Sequence, residues 1–99
     1  MKVVFSEAAL ADLEAIGDYI ARDNPRRAVS FVDELVACAE RIADAPEGFP
    51  LIERDRRRGI RKRVHKSYLI FYRVRGDEIE ILHVLNGAQD WDAMALAAD

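Results

Sequence analysis

The sequence predicts an α+β fold, with an N-terminal strand and an antiparallel helical hairpin packed on a small antiparallel β-sheet. Three observations predict it. Apolar residues recur at helical spacing through the first half of the chain. In the second half the period shortens toward two, and the residues become β-branched and aromatic. Turn and cap signals stand between these stretches: Asn24-Pro25, Lys66-Ser67 and Gly76-Asp77.

"MKVVF" is short, apolar and β-branched, and reads as a strand. Ser6 follows as an N-cap, with Glu7 placed favourably in the first turn. Leu10, Leu13, Ile16, Gly17 and Ile20 then form a helical stripe that stops near Arg22–Asp23. Asn24 caps a second helix, with Pro25 at its first position. Its stripe is Ala28, Phe31, Val32, Leu35, Ala39 and Ile42, and Pro46 and Pro50 keep it from continuing. Leu10, Leu13, Phe31 and Leu35 are expected to serve mainly in the core. "GIRKRV" alternates. "SYLIFYRV" is nearly all β-branched, aromatic or leucine, as a central strand buried on both faces would be. "EIEILHVL" completes the sheet, and one or two helical turns are expected within "DWDAMALAAD".

The 99 residues suit one domain, 1–99, of ordinary globular composition: 51% hydrophobic and 33% charged. No apolar run nears the ~18 residues of a membrane span, and the N-terminus lacks the pattern of a signal peptide. Cys38 is the only cysteine and lies on an apolar helical face, so a buried thiol in a reducing, cytoplasmic setting is expected. Two histidines and scattered acids show no metal-ligand spacing, and no cofactor motif is present.

The charge is strongly segregated. From Arg54 to Arg75, ten bases and one acid make +9; the remaining five bases and seventeen acids make −12. The net −3 hides this, and an acidic partner is the natural complement of the basic segment. If the two hairpin turns are two residues long, Arg61 faces Tyr72, Arg63 faces Ile70, Tyr72 faces Ile81, Ile70 faces His83 and Arg73 faces Glu80. Ile60, Val64, Leu69, Phe71, Leu82 and Val84 are then expected to meet the helices. Arg61, Arg63, Ile70, Tyr72, Ile81 and His83 are expected on the opposite face. Such a face could grip phosphate or an acidic protein. It could also cleave RNA, with His83 or His65 moving protons and arginine stabilising charge. Trp91 reads as a core or interface anchor.

Four stretches, "DLEAIGDYIARDNPRRA", "RIADAPEGFP", "GIRKRVHKSYLIFYRV" and "IEILHVLNGAQDW", in this order and spacing, resemble the ParE branch of the RelE/ParE toxin superfamily. The resemblance runs from about Phe5 to Trp91. It implies a helical hairpin on a curled antiparallel sheet, and the toxin role of a type II toxin–antitoxin module. It implies a ParD-like antitoxin partner in a hetero-oligomer, and inhibition of DNA gyrase by stabilising its cleaved DNA complex, without enzymatic activity. Nucleic acid would be met only through that complex. On this reading Arg54, Arg56, Arg57, Arg58, Arg61 and Arg63 contact the target. Arg61, Arg63, Arg73, Tyr72, Leu10 and Leu13 contact the antitoxin. The RelE branch implies a different activity, ribosome-dependent cleavage of messenger RNA, for which His83, Arg61, Arg63 and Tyr72 are the candidates. A third alternative is an antitoxin-binding module without a target. The last strand reads "HVLNG", where ParE-like chains commonly carry an arginine in place of His83 and a histidine in place of Asn86.

Overall fold

A computed structural model describes residues 1–97 of the chain. The strand β1 (Lys2–Phe5) leads into helices α1 (Glu7–Ala21) and α2 (Pro25–Glu40). A 3-10 turn at Arg41–Asp44 and another at Glu53–Arg58 precede β2 (Arg61–His65), β3 (Tyr68–Arg75) and β4 (Glu78–Asn86). A last 3-10 turn, Trp91–Ala93, is the only helical part of the predicted C-terminal turns that the described residues show; positions 98 and 99 lie outside them.

The caps form as their chemistry requires. Ser6 Oγ accepts the Ala9 N–H at 3.0 Å, and Asn24 Oδ1 accepts that of Arg27 at 3.0 Å. Ser6 does a second job: its hydroxyl donates to the Leu82 carbonyl of β4 at 2.9 Å. The cap therefore fastens the start of α1 to the sheet. Ser6→Ala removes both bonds, and a loss of about 1–2 kcal/mol is expected by urea denaturation.

The sheet runs in the order β1-β4-β3-β2. It is mixed rather than wholly antiparallel, because β1 joins β4 in parallel, with Val3 beside Ile79 and Phe5 beside Ile81. The chain must cross α1 and α2 before it returns to that edge, and such a crossover brings a strand back parallel. The hairpin registers follow the expected pairs Arg61–Tyr72, Arg63–Ile70, Tyr72–Ile81 and Arg73–Glu80. One pair differs. A bulge lies between Phe71 and Tyr72, so Phe71 faces His83 and Ile70 faces Val84 rather than His83. The extra residue on β4 sits where β1 has ended and α1 has begun. The Leu82 carbonyl there is met by Ser6, and the Val84 N–H donates to Asp12 Oδ2 at 2.9 Å. Side chains of α1 thus satisfy backbone groups that no strand reaches.

The bulge and the two-sided burial of β3 overturn the expected facing of the sheet. Tyr68, Ile70, Tyr72, Ile79, Ile81 and Val84 pack on the helices, against Leu13, Ile16, Phe31 and Leu35. The set expected to face the helices mostly lies on the other side. Ile60, Leu69, Phe71 and Leu82 form a second cluster there with Ile52, Leu85 and Leu96. Val64 is 58% exposed. Leu10, expected in the core, is 55% exposed; Ala9, Leu13 and Ile16 form the buried stripe of α1 instead. Cys38 is buried, as expected.

Candidate functional site

The structure sorts the cations of the Arg54–Arg75 segment by what their charged ends touch. Arg61 donates to the Glu47 carbonyl at 3.2 Å and the Phe49 carbonyl at 2.6 Å. Arg63 donates to the Cys38 carbonyl at 2.9 Å, in the last turn of α2, and lies over the Phe49 ring. A cation there satisfies a helix-end carbonyl and opposes the helix dipole. Tyr72, fully buried, donates to the Pro46 carbonyl at 2.7 Å, and Phe49 meets its ring edge-on. Burial raises the Tyr72 pKa, with Arg61 and Arg63 pulling against it. These three residues brace the Pro46–Phe49 loop and the end of α2 onto the sheet.

Arg54 braces the opposite face. It pairs with Asp55 at 2.7 Å, donates to the Asp92 carbonyl, and donates to the Met94 carbonyl at 2.5 Å. Together these bonds tie the Glu53–Arg58 turn to the C-terminal segment. Trp91 anchors that segment by packing on Phe71, with Arg54 and Lys62 each over its ring. Asp55 is 8% exposed and takes Arg58 at 3.4 Å as well as Arg54, so the turn is held by one buried carboxylate.

Arg56, Arg57 and Arg58 are exposed on this turn. Arg56 reaches only Glu53, at 3.9 Å between two well-exposed side chains, a contact worth little in water. Arg57 makes no ion pair among the described residues. Gly59 follows with φ of 70°, a left-handed conformation that glycine adopts without strain, and turns the chain into β2. Arg73 is 7% exposed and pairs with Glu80 at 2.8 Å; Arg75 approaches the same carboxylate at 3.8 Å.

Glu34 on α2 gathers Arg27, His65 and Lys66 at 2.5, 3.3 and 3.4 Å. The hydrogen bond from Arg27, helped by those from His65 and Lys66, lowers the Glu34 pKa to about 2. A depressed carboxylate pKa stabilises the fold fully above the ordinary value of 4.5, and the contribution fades as pH falls through about 2. Glu34→Gln is therefore expected to be less stable than the parent at pH 7. In melts taken down the pH scale, the gap between them narrows below about pH 4.5.

The four residues considered for RNA cleavage do not share one corner. Arg61, Arg63 and Tyr72 cluster at the Pro46–Phe49 loop, where backbone carbonyls occupy them. His83 lies against α1, with Nδ1 2.7 Å from Asp12 Oδ2. Asp12 thereby holds both the imidazole and the Val84 N–H, which gives the pair a structural task in docking α1 on β4. Among the described residues no group of acids, histidines and cysteine is placed to hold a metal ion. No helix among them is long and apolar enough to cross a membrane.

On the helical hairpin, Leu10, Tyr19 and Val29 are exposed. A shallow groove between α1 and α2, floored by Gly17, Ala28 and Val32, is rimmed by Glu14, Asp18 and Asp33. The helices stand close at Gly17, where a Cβ would make an ordinary 3.4 Å contact with Val32. Sequence periodicity missed this surface because it placed Leu10 inside. The role of Asp12 was also unmarked, since its partners lie 71 and 72 positions away.

A helical hairpin thus packs on one sheet face and a basic turn on the other, and the hairpin carries exposed apolar residues. Residues 3–91 match the family described as ParE toxin of type II toxin-antitoxin system, parDE. The chain belongs to this ParE toxin family. Among solved structures it is similar to a chain of the chromosomal ParDE toxin–antitoxin system from P. aeruginosa. That likeness has a TM-score of 0.73 and 25% identity, over 87% of this chain and 95% of that one. No curated protein matches.

Proposed function

We propose that this chain is the toxin of a ParD-like antitoxin pair, and that it arrests growth by stabilising the cleaved DNA complex of gyrase. Membership of the ParE toxin family over residues 3–91 carries this reading. It acts as a cytoplasmic binding protein rather than a catalyst, and requires no cofactor. Arg56, Arg57 and Arg58 are its principal target contacts, because their charges face solvent. Arg54, Arg61 and Arg63 contribute by holding the surface in shape.

The antitoxin segment lies along the helical hairpin, with Leu10 and Val29 as apolar contacts. Leu13 and Tyr72 support that surface from within. Arg61, Arg63 and Arg73, held by backbone carbonyls and by Glu80, support the sheet beside that surface rather than present free charge to the antitoxin.

The test is a plasmid assay with purified protein, gyrase, ATP and supercoiled DNA, denatured before electrophoresis. Linear DNA that disappears when antitoxin is added is the expected product. Intact plasmid at saturating, folded protein would remove gyrase as the target.

A further inference from the structure

We propose that Arg56, Arg57 and Arg58, with Lys62, bind the backbone phosphates of duplex DNA directly. Of the ten cations in the basic segment, six have their charged ends on partners outside the Glu53–Arg58 turn. Arg54, Arg61 and Arg63 hold backbone carbonyls, Lys66 meets Glu34, and Arg73 and Arg75 meet Glu80. Arg58 keeps only a 3.4 Å contact to Asp55, with 47% of its side chain exposed. Arg56 and Arg57 are freer still. Lys62 stands over Trp91, joined through that ring to the same turn.

The shape of this patch favours phosphates over a protein. Three consecutive arginines on a 3-10 turn, at a rise of about 2 Å per residue, fan out from a short length of exposed chain and concentrate three positive charges there. Duplex DNA carries about one negative charge per 1.7 Å of axis, and guanidinium forks fit its phosphate oxygens. A stable protein contact needs an apolar centre as well. The turn itself offers little: its flanking apolar residues, Ile52 and Ile60, are 6% and 0% exposed, Trp91 is only part-exposed, and Val64 is the one well-exposed large apolar residue described on that sheet face. The exposed apolar residues of the helices pack on the far side of the sheet from it. The remaining chain carries −12, which disfavours DNA over the surfaces its acids dominate and favours approach at the basic turn. This inference rests on the gyrase reading only for where in the cell the DNA is met.

The probe is a fluorescein-labelled duplex oligonucleotide, read by anisotropy over a series of salt concentrations. Binding at low salt is expected, weakening with a log–log slope of about −3 to −4 for four phosphate contacts. The triple variant R56A/R57A/R58A is expected to lose most of that slope, by about 3, while remaining folded with a melting temperature within a few degrees of the parent. The exposed helical pair R22A/R26A should bind as the parent does. Absence of binding at low salt, or an unchanged slope in the triple variant, would overturn the proposal. Tighter binding of polyglutamate than of DNA at matched ionic strength would also overturn it, in favour of an acidic protein. The plasmid assay separates this inference from the gyrase reading. DNA binding without linear product removes gyrase and leaves the ridge, whereas linear product without DNA binding does the reverse.

Discussion

Reversing the charge of Arg56, Arg57 and Arg58 together, as R56E/R57E/R58E, is expected to abolish gyrase-dependent linearisation of plasmid while the protein stays folded. Like charges set against a charged partner cost several kcal/mol, so the half-maximal concentration should rise by at least ~100-fold. The fold is largely spared because Arg56 and Arg57 are exposed and support little else; the cost falls on Arg58, whose 3.4 Å contact to the nearly buried Asp55 becomes a like-charge contact. Surface changes of this kind stay within about 0.5 kcal/mol each, a few degrees in melting temperature. Arg61→Ala and Arg63→Ala are expected to behave in the opposite way. Each removes a charged donor from a backbone carbonyl, at 2.6 and 2.9 Å respectively. A cost of about 1–2 kcal/mol follows after allowance for solvent. The split between the two arginine groups is the informative result. If Arg61→Ala lost linearisation at full stability while the triple reversal kept it, the division into contacts and braces would be wrong.

The second large effect concerns the core. Ile70→Ala is expected to cost about 2–5 kcal/mol, because Ile70 has no exposed surface and packs beneath the helices. In a chain of this size that lowers the melting temperature by roughly 10 °C or more. Val64→Ala, on the opposite face and 58% exposed, is expected to change stability by less than about 0.5 kcal/mol. Urea denaturation of the pair reads out which sheet face carries the helices. Equal losses, or a larger loss at Val64, would reverse the packing described above.

Much of the fold was legible because local chemistry specified it. Ser6 and Asn24 cap the helices they precede, and Gly76-Asp77 and Lys66-Ser67 close the hairpins. The nearly unbroken apolar run Tyr68–Tyr72 marked β3 as the central strand. That same apolarity concealed which face meets the helices, since a strand buried on both sides has no polar side to orient it. The bulge at Phe71–Tyr72 was hidden for another reason. Ser6 and Asp12 of the N-terminal part stabilise it, and no β4 residue signals their approach.

The charged segment was legible as a segment but not residue by residue. Arg56 and Arg61 are alike in sequence, yet one faces water and the other holds carbonyls 12 and 14 positions away. Backbone carbonyls are present at every position, so no motif announces which arginine will find one. The exposed helical surface was lost for a smaller reason. The wheel position of Leu10 fits the apolar stripe, but the axis of α1 turns Ala9 inward instead.

The most direct test of the central claim is a count of surviving colonies after this chain is induced alone, and after it is induced together with a ParD-like antitoxin. A fall of several orders of magnitude that the antitoxin reverses is the predicted result. Undiminished survival with folded protein accumulating in the cell would contradict it, and would leave a module that binds an antitoxin without poisoning anything.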